Sequence, residues 1–429
     1  MYQTKSAVLR AARRMTSFHI SKKHQLWGTI LAVSIISWAT SAYLHSPATP
    51  AYGNLIGFKY SDIVYGVFYP RLIGDRASSY WFNQASYRDY TRGLNKCPMP
   101  YVDYLFEYPP VVGLMWATST CIALSNSENP SEAVNTHYYL QSLMILGFTI
   151  VLGATLYKLH VRGAVSLLKC ALVFVAPSTI TYLVYNWDVV ASAMCLLGIL
   201  AFWDRKYFKA GLFLGLSFST KLLTLGVAYY YLLKIITVGK SAKSQLSYLL
   251  GFLLSGVLPF LALYIASPLG FTAMINHHAS WYCENCLYIL AVRDIWSPLH
   301  KVLYFLAAGI YVLFVTVITF KRGFKLEPLN LYIYASIPVV LNYVFSPQMM
   351  LLLTPLAAIG LDNPLLALYG AADLFNAALI VEFFRELISG GSPWLFGSIT
   401  QLMALTRNIL LLAITVATTI ALIIRRNSS

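Results

Sequence analysis

The chain has 429 residues, of which 58% are hydrophobic and only 11% are charged. Soluble domains carry about 25% charged residues, so the composition excludes a water-soluble globule, and the long apolar runs exclude a disordered chain or a coiled coil. Lys and Arg number 31 against 16 Asp and Glu, a net charge of +15. In a lipid-soluble chain such an excess sets membrane orientation, so the lipid bilayer, and no nucleic acid, is the expected partner.

The apolar runs, in chain order, predict an all-α polytopic membrane protein. Six basic residues and no acid precede the first run, so residues 1–24 are predicted to be a basic cytoplasmic tail. A spanning helix needs about 20 apolar residues. Twelve runs approach that length: 26–44, 109–126, 137–157, 165–184, 189–203, 210–232, 245–266, 302–320, 330–345, 348–361, 365–380 and 404–424. They predict one transmembrane domain over 25–424 with about twelve helices, followed by a short cytoplasmic tail, 425–429.

The charges of the loops do not all agree with this count. The basic segments 234–243 and 321–325 are predicted inside, which puts 267–300 outside. Counting forward puts 158–162 and 204–209 outside as well, although their charges favour the cytoplasm. Either one early run does not span, or the run 210–232 consists of two short helices that meet near Lys221.

Two predicted extracytoplasmic loops, 45–107 and 267–300, hold seven of the 16 acidic residues. A transporter usually has short connections and places its polar residues near the bilayer midplane. Acids concentrated in two outer loops instead favour chemistry at the outer membrane surface, with these loops forming the active site.

Asp62 is the candidate catalytic residue of the first loop, in the stretch Tyr60-Ser-Asp62-Ile-Val-Tyr65. Apolar and aromatic neighbours place it near the headgroup level, where a partly desolvated carboxylate is a better base. The alternative interpretations are a helix N-cap or a salt bridge with Lys59 or Arg71.

Two further acids have a capping alternative. Glu107 precedes Tyr108-Pro109-Pro110, where proline predicts a helix start, so it either caps that helix or binds a sugar hydroxyl. Asp188, in Asn186-Trp-Asp188, either caps the following helix or belongs to a site. In both cases the cap is the simpler interpretation.

Polar residues in or beside later apolar runs are candidates for anion binding. Lys221 lies deep in an apolar run, where it either snorkels to the surface or meets an anion such as a phosphate. Neutral imidazoles of His277 and His278 could donate to a phosphate oxygen, a cationic one could pair with it, or the pair has no role. Gln348, just after Pro347 at a predicted helix start, must find a polar partner.

The glycines and cysteines have structural interpretations. Gly211 and Gly215 form a GxxxG pattern that predicts close helix packing. Three cysteines inside apolar runs are predicted to be core residues: Cys121, Cys170 and Cys195. The pair Cys283 and Cys286 lies in a loop, lacks further ligands at zinc spacing, and is compatible with a disulfide.

In this order, the segments resemble the GT-C membrane glycosyltransferases of the glycosyltransferase 87 type, the polyprenyl-phosphate-mannose-dependent mannosyltransferases that include PimE-like enzymes. Four segments carry the resemblance: Ser61-Asp62-Ile-Val-Tyr65, Tyr108-Pro109-Pro110, Asn186-Trp187-Asp188 with Ala210-Gly211 to Thr220-Lys221-Leu222, and Phe345-Ser346-Pro347-Gln348. The resemblance implies a GT-C-like bundle with juxtamembrane helices in the first outer loop. Where many members of this family have an arginine in the second outer loop, this chain has Trp281.

The resemblance implies an inverting transfer of a sugar, mannose first, from a polyprenyl-phosphate donor to a glycolipid or other membrane acceptor. Asp62 would act as the general base, and no cofactor or metal is expected, because residues 62–64 are Asp-Ile-Val rather than Asp-x-Asp. The residues expected to bind substrate are Tyr65, Arg71, Glu107, Tyr108, Asp188, Lys221, His277, His278 and Gln348. The alternatives are a transporter or lipid flippase without covalent chemistry, and a transferase of another lipid-linked sugar.

Overall fold

The computed structural model describes residues 25–50, 58–238 and 240–424, and almost all of its regular structure is helical. The predicted basic tail 1–24 and the tail 425–429 lie outside the described residues. The first helices are α1 Gln25–His45, α2 Asp62–Ile73, α3 Gln84–Thr91, α4 Pro110–Ser125, α5 Pro130–Val161, α6 Leu167–Val175, α7 Pro177–Tyr182, α8 Asp188–Trp203 and α9 Tyr207–Phe218. They are followed by α10 Leu222–Thr237, α11 Ala242–Ala266, α12 Pro268–Ser280, α13 Leu299–Arg322, α14 Glu327–Val340, α15 Pro347–Gly360, α16 Asn363–Ile388 and α17 Ile399–Ile424.

Six helices of the described part are long and apolar enough to cross a membrane: α1, α5, α11, α13, α16 and α17. Their lengths of 21 to 32 residues match or exceed the length needed to span a hydrocarbon layer. Five further apolar helices, including α8, α9 and α15, are shorter, at 10–17 residues. The prediction of an α-helical membrane protein is therefore confirmed at this level.

Helices α1 and α5 run antiparallel. The Trp27 ring lies 5.6 Å from that of Tyr157, and at the other end the Tyr138 hydroxyl donates to the Ala42 carbonyl. α4 packs against α5 at this level, with the Ser119 hydroxyl 3.1 Å from His137 Nδ1. The run 109–126, one of the predicted spans, forms this helix of 16 residues, shorter than the about 20 that a spanning helix needs.

A disulfide between Cys97 and Cys121 joins α4 to the long loop before it. The prediction that Cys121 is a plain core residue is wrong, because the loop folds back over α4 and brings Cys97 to it. The other two predicted core cysteines, Cys170 and Cys195, are free and buried.

The run 210–232 is broken at Lys221, as one of the two sequence interpretations requires. α9 ends at Phe218, Lys221 is extended, and α10 starts at Leu222. The N–H of Lys221 still bonds to the Ser217 carbonyl at 2.9 Å, but the chain then turns into a new helix. The run is two short helices whose junction is Lys221.

Contacts between helix ends divide the bundle into two ends. At one end, Arg162 pairs with Asp204 at 2.7 Å, and Trp203 and Lys234 both bond to Glu327. The other end holds the loop 58–109, the junction at Lys221, the loop 281–298 and the residues just before α15. Backbone contacts at that end join residue 62 to 185, 111 to 219, and 284 to 343.

The GxxxG pattern brings α9 and α11 into close contact, as predicted. A Cβ on Gly211 would lie 2.0 Å from the Tyr248 carbonyl oxygen, and one on Gly215 would lie 2.3 Å from the Ser255 hydroxyl. Only glycine permits this approach, and it fixes the position of α9, which leads directly to Lys221.

Replacing Gly211 by Ala is expected to lower stability by about 1–3 kcal/mol, the usual cost of overpacking, because backbone must move to admit the methyl group. The midpoint of thermal unfolding in detergent measures this. Gly309→Ala in α13 is the matched control, since no atom lies within 4 Å of its Cβ position. Equal midpoints for the two variants would contradict the close packing.

Candidate functional site

A cavity of about 740 Å³ opens at the end of the bundle that holds the Lys221 junction. Its polar wall comes from the start of α2, the loop before α4, the α7–α8 and α9–α10 junctions, the loop around 281–285, and the start of α15. These segments are far apart in sequence, and the fold brings their polar side chains to one place. The polar lining residues include Tyr60, Asp62, Glu107, Tyr108, Asn186, Lys221, His277, His278, Trp281, Glu284 and Gln348.

Asp62 is the first residue of α2 and faces the cavity. Ser61, not Asp62, caps the helix, since its hydroxyl accepts from the Val64 N–H. Lys59 donates instead to the carbonyls of Pro47 and Thr49, and Arg71 pairs elsewhere. The N-cap and salt-bridge interpretations of Asp62 are therefore both wrong.

Three neutral donors hold one oxygen of this carboxylate. Asp62 Oδ2 accepts from the Tyr108 hydroxyl at 2.8 Å, from Asn186 Nδ2 at 3.2 Å and from Gln348 Nε2 at 3.4 Å. The partner that Gln348 was expected to need is thus Asp62. The described residues give Oδ1 no hydrogen bond, and a Cβ on Gly66 would lie 3.2 Å from it, so Gly66 keeps space open beside that oxygen.

Burial raises the pKa of the Asp62 carboxyl to about 7, while hydrogen bonds from Tyr108 and Asn186 and the charge of Lys221 limit the rise. Loss of water around the carboxylate disfavours its charged form. A carboxylate with a pKa near neutrality is suited to accept a proton from a substrate.

Lys221 reaches the cavity wall from the junction between α9 and α10. Its Nζ lies 3.1 Å from Asp188 Oδ1, and the Asp188 side chain is only 1% exposed. Asp188 does not cap α8: the structure gives it no side-chain cap bond, and its own N–H is held by the Asn186 side chain. Asp188 lies behind Lys221 and orients its ammonium group.

His277 and His278 lie in the last turn of α12, and both line the cavity. Burial lowers the pKa of His277 to about 4 and also lowers the pKa of His278. Both rings are therefore neutral at physiological pH and add no charge to the cavity. His278 donates its Nε2–H to the Glu107 carbonyl oxygen at 2.7 Å, so its other ring nitrogen can only accept; among the described residues no hydrogen bond fixes the His277 ring, which can donate to a ligand.

Glu107 and Arg71 form a buried ion pair at 2.9 Å, with side chains 10% and 5% exposed. Arg71 also donates to the Gly66 carbonyl and lies over the Tyr80 ring. Glu107 makes no cap for α4, whose N-cap is Pro109. The pair holds α2 against the loop before α4.

Of the ten predicted site residues, seven line the cavity: Asp62, Glu107, Tyr108, Lys221, His277, His278 and Gln348. The other three are not in its wall. Asp188 and Arg71 lie behind it, and Tyr65 stacks with Tyr60 and Tyr69.

The sequence interpretation missed several residues of or beside the site, among them Asn186, Glu284 and Arg407. Asn186 and Glu284 line the cavity, and Arg407 of α17 is fully buried behind it. A charge inside an apolar run singled out Lys221, and the same signal applies to Arg407. No pattern in the sequence distinguishes Glu284 from the other loop acids.

The pair Cys283 and Cys286 forms the loop disulfide that the sequence allowed. His300 lies beside this disulfide, although it is too far along the chain to be a ligand at the usual zinc spacing. The potential ligand atoms of the three residues are within 4.8 Å of one another. His300 Nε2 contacts the Asp294 carbonyl oxygen at 2.7 Å. With the sulfurs joined to each other, the cluster fastens the loop 283–300.

No protein-family model and no curated protein sequence matches this chain. Function is therefore inferred from the residues of the cavity and the fold that positions them.

Replacing Lys221 by Met is expected to destabilise the protein by about 3–5 kcal/mol, because it leaves the Asp188 carboxylate buried without a partner. Adding Asp188→Asn should restore most of the loss, since the double variant leaves no unpaired buried charge at these two positions. Thermal unfolding of the single and double variants in detergent measures the coupling. Additive losses would contradict the role assigned to Asp188.

Proposed function

We propose that this chain is an inverting membrane glycosyltransferase that moves a sugar from a polyprenyl-phosphate donor to a hydroxyl of a glycolipid or other membrane acceptor, with Asp62 as the general base and mannose as the first sugar to test. The observation that carries the proposal is the Asp62 carboxylate itself. It faces a large cavity, has no ion-pair partner among the described residues, and has one oxygen open.

The reaction requires one proton acceptor. The acceptor hydroxyl attacks the anomeric carbon from the side opposite the phosphate, the bond between that carbon and the phosphate oxygen breaks, and its electron pair leaves with polyprenyl phosphate. The hydroxyl proton goes to Asp62. Because the phosphate is already a weak base, it leaves without a general acid, and a second carboxylate in that role is not needed.

The charges of the cavity wall favour a single phosphate group. Lys221 is the only Lys or Arg among the described residues that line it, against three acids, and His277 and His278 are neutral. One cation and one imidazole donor, His277, can bind one phosphate, whereas a nucleotide diphosphate would bring more negative charge than this wall balances.

The cavity wall also reaches the lipid-facing surface, which supports a donor with a long polyprenyl chain. Leu225 of α10 and Phe305 of α13 both line the cavity, and they are 46% and 68% exposed. Apolar residues that belong to both surfaces mark a lateral opening between these helices. A polyprenyl chain could lie there while its phosphate reaches Lys221.

The two ends of the bundle give a membrane topology that satisfies the positive-inside rule. If α4 stays on the outer side and α9 and α10 each cross, there are twelve crossings, counting α6 and α7 together as one. The basic segments 158–162, 204–209, 234–243 and 321–325 then all lie inside. The cavity lies at the opposite, extracytoplasmic end, and the expected GT-C-like bundle retains α2 and α3 in its first outer loop.

Replacing Asp62 by Asn is expected to lower sugar transfer by about 10²–10⁴-fold, the usual contribution of a general base. Asn keeps the shape and can still accept from Tyr108, so folding should be retained. The assay incubates purified protein with radiolabelled polyprenyl-phosphate-mannose and total membrane lipid and follows label into glycolipid. Asp75→Asn, an exposed acid of the same loop, is the matched control.

Normal transfer by the Asp62→Asn variant would refute the general-base assignment while leaving the transferase class intact. Absence of labelled product from the unmodified protein, with several polyprenyl-linked sugars tried, would favour the transporter or flippase.

The pH dependence of kcat/KM tests the same group independently. Only the deprotonated carboxylate accepts a proton, so log kcat/KM should rise by about one per pH unit below the pKa of Asp62, about 7, and level off above it. Tyr108→Phe removes a hydrogen bond that favours the charged form and should move this limb to higher pH. An unchanged or lowered midpoint in that variant would contradict the assignment.

A further inference from the structure

Glu284 is a cavity carboxylate that the proposed chemistry does not use. Its Oε2 accepts from the Trp281 indole N–H at 2.7 Å, and no basic group of the described residues forms an ion pair with it. The other acids around the site differ in this respect: Glu107 pairs with Arg71, and Asp188 pairs with Lys221. Glu284 and Asp62 are thus the two cavity carboxylates without a cation.

The backbone around Glu284 is held on every side. Its N–H bonds to the Tyr343 carbonyl at 3.1 Å, and its carbonyl accepts from the Phe345 N–H at 2.8 Å. The disulfide Cys283–Cys286 closes a four-residue ring that contains Glu284 and Asn285. The position of the carboxylate is therefore set before any ligand binds, which lowers the entropic cost of binding.

Arg407 lies behind this ring and holds it through backbone oxygens. Its guanidinium donates to the Asn285 carbonyl at 3.3 Å and to the Phe345 carbonyl at 2.9 Å. Its remaining bonds go to the side chains of Asn376 and Asn408. Arg407 therefore fixes the loop through its backbone without forming an ion pair with the Glu284 carboxylate.

A carboxylate in a partly desolvated site needs donors. An anionic phosphate would be repelled there and belongs with Lys221. A sugar ring supplies neutral hydroxyl donors, and its C–H face packs on aromatic rings such as the Trp281 indole, which lines the cavity beside the carboxylate.

We propose that Glu284 and Trp281 form the subsite for the donor's sugar ring, with the carboxylate accepting hydrogen bonds from sugar hydroxyls and the indole packing against the ring. This proposal rests on the proposed function. It divides the donor between two parts of the cavity: the phosphate at Lys221 and His277, the sugar at Glu284 and Trp281. Glu284 then selects among sugars by the orientation of their hydroxyls.

The test compares Glu284→Gln with the unmodified protein, using sugar-free polyprenyl phosphate, polyprenyl-phosphate-mannose, and a donor carrying an epimeric hexose. Binding of the mannose donor should weaken about 10–100-fold, the worth of one or two hydrogen bonds to a charged group. Binding of sugar-free polyprenyl phosphate should not change. The ratio of kcat/KM for the two sugars should fall toward one, because hydroxyl selection depends on the carboxylate.

Two control variants make the result specific. Glu128→Gln changes an exposed acid before α5 and should leave all three measurements unchanged. The double variant Lys221→Met with Asp188→Asn should instead lose binding of sugar-free polyprenyl phosphate, because it removes the cation that holds the phosphate. Gln at position 284 can still accept from the Trp281 indole, so monodisperse elution on size exclusion is expected to confirm folding.

The outcomes separate the two proposals. If Glu284→Gln keeps the sugar ratio of the unmodified protein, or weakens polyprenyl phosphate as much as the sugar donor, the subsite assignment is overturned and the transferase proposal stands. If the unmodified protein neither binds polyprenyl phosphate nor transfers any sugar, the proposed function fails and the subsite fails with it.

Discussion

The site depends on a carboxylate that is kept close to ionisation without a counter-charge. Asp62 is desolvated by the helices around it, and the groups that hold it are a phenol and two amides. A direct ion pair would lower the pKa of this carboxyl and make it a weaker base. Neutral donors orient it while leaving its basicity high, and the fold draws those donors from three segments more than 40 residues away in the chain.

Short helices make the room for this arrangement. α9 has 12 residues, which at 1.5 Å per residue is about 18 Å, well below the roughly 30 Å of a hydrocarbon layer. α8 and α15 are also short, and residues just before α8, just after α9 and at the start of α15 line the same cavity. Helices that stop early leave a recess at one end of the bundle, and the polar backbone groups at their ends line a cavity, where irregular backbone is tolerated.

The sequence predicted those parts of the molecule that local rules determine. Apolar runs located the long helices, the GxxxG pattern located a close contact, and prolines located the starts of α4 and α15. The position of α4 is set by packing against His137 and by a disulfide to Cys97. These contacts join distant segments, so no local pattern reveals them.

The site shows the same division between local and distant information. Asp62 and Lys221 stand out because a charge in an apolar setting is costly, and both line the cavity. The expected caps Glu107 and Asp188 instead have cationic partners distant in sequence, Arg71 and Lys221. Among the described residues, Glu284 has no cationic partner. Its place in the cavity wall follows from the pairing of its loop with residues 343–345.

The basic side chains near the site act mostly on the protein rather than on the cavity. Arg71 neutralises Glu107, and Arg407 binds backbone carbonyls and lies 3.7 Å over the Phe345 ring. Among the described basic residues only Lys221 faces the cavity, and Asp188 already balances part of its charge. A ligand with one negative charge can bind there without leaving a large uncompensated charge after it departs. This balance agrees with the proposed donor, a lipid phosphate that would enter from the bilayer, release its sugar and return to the bilayer.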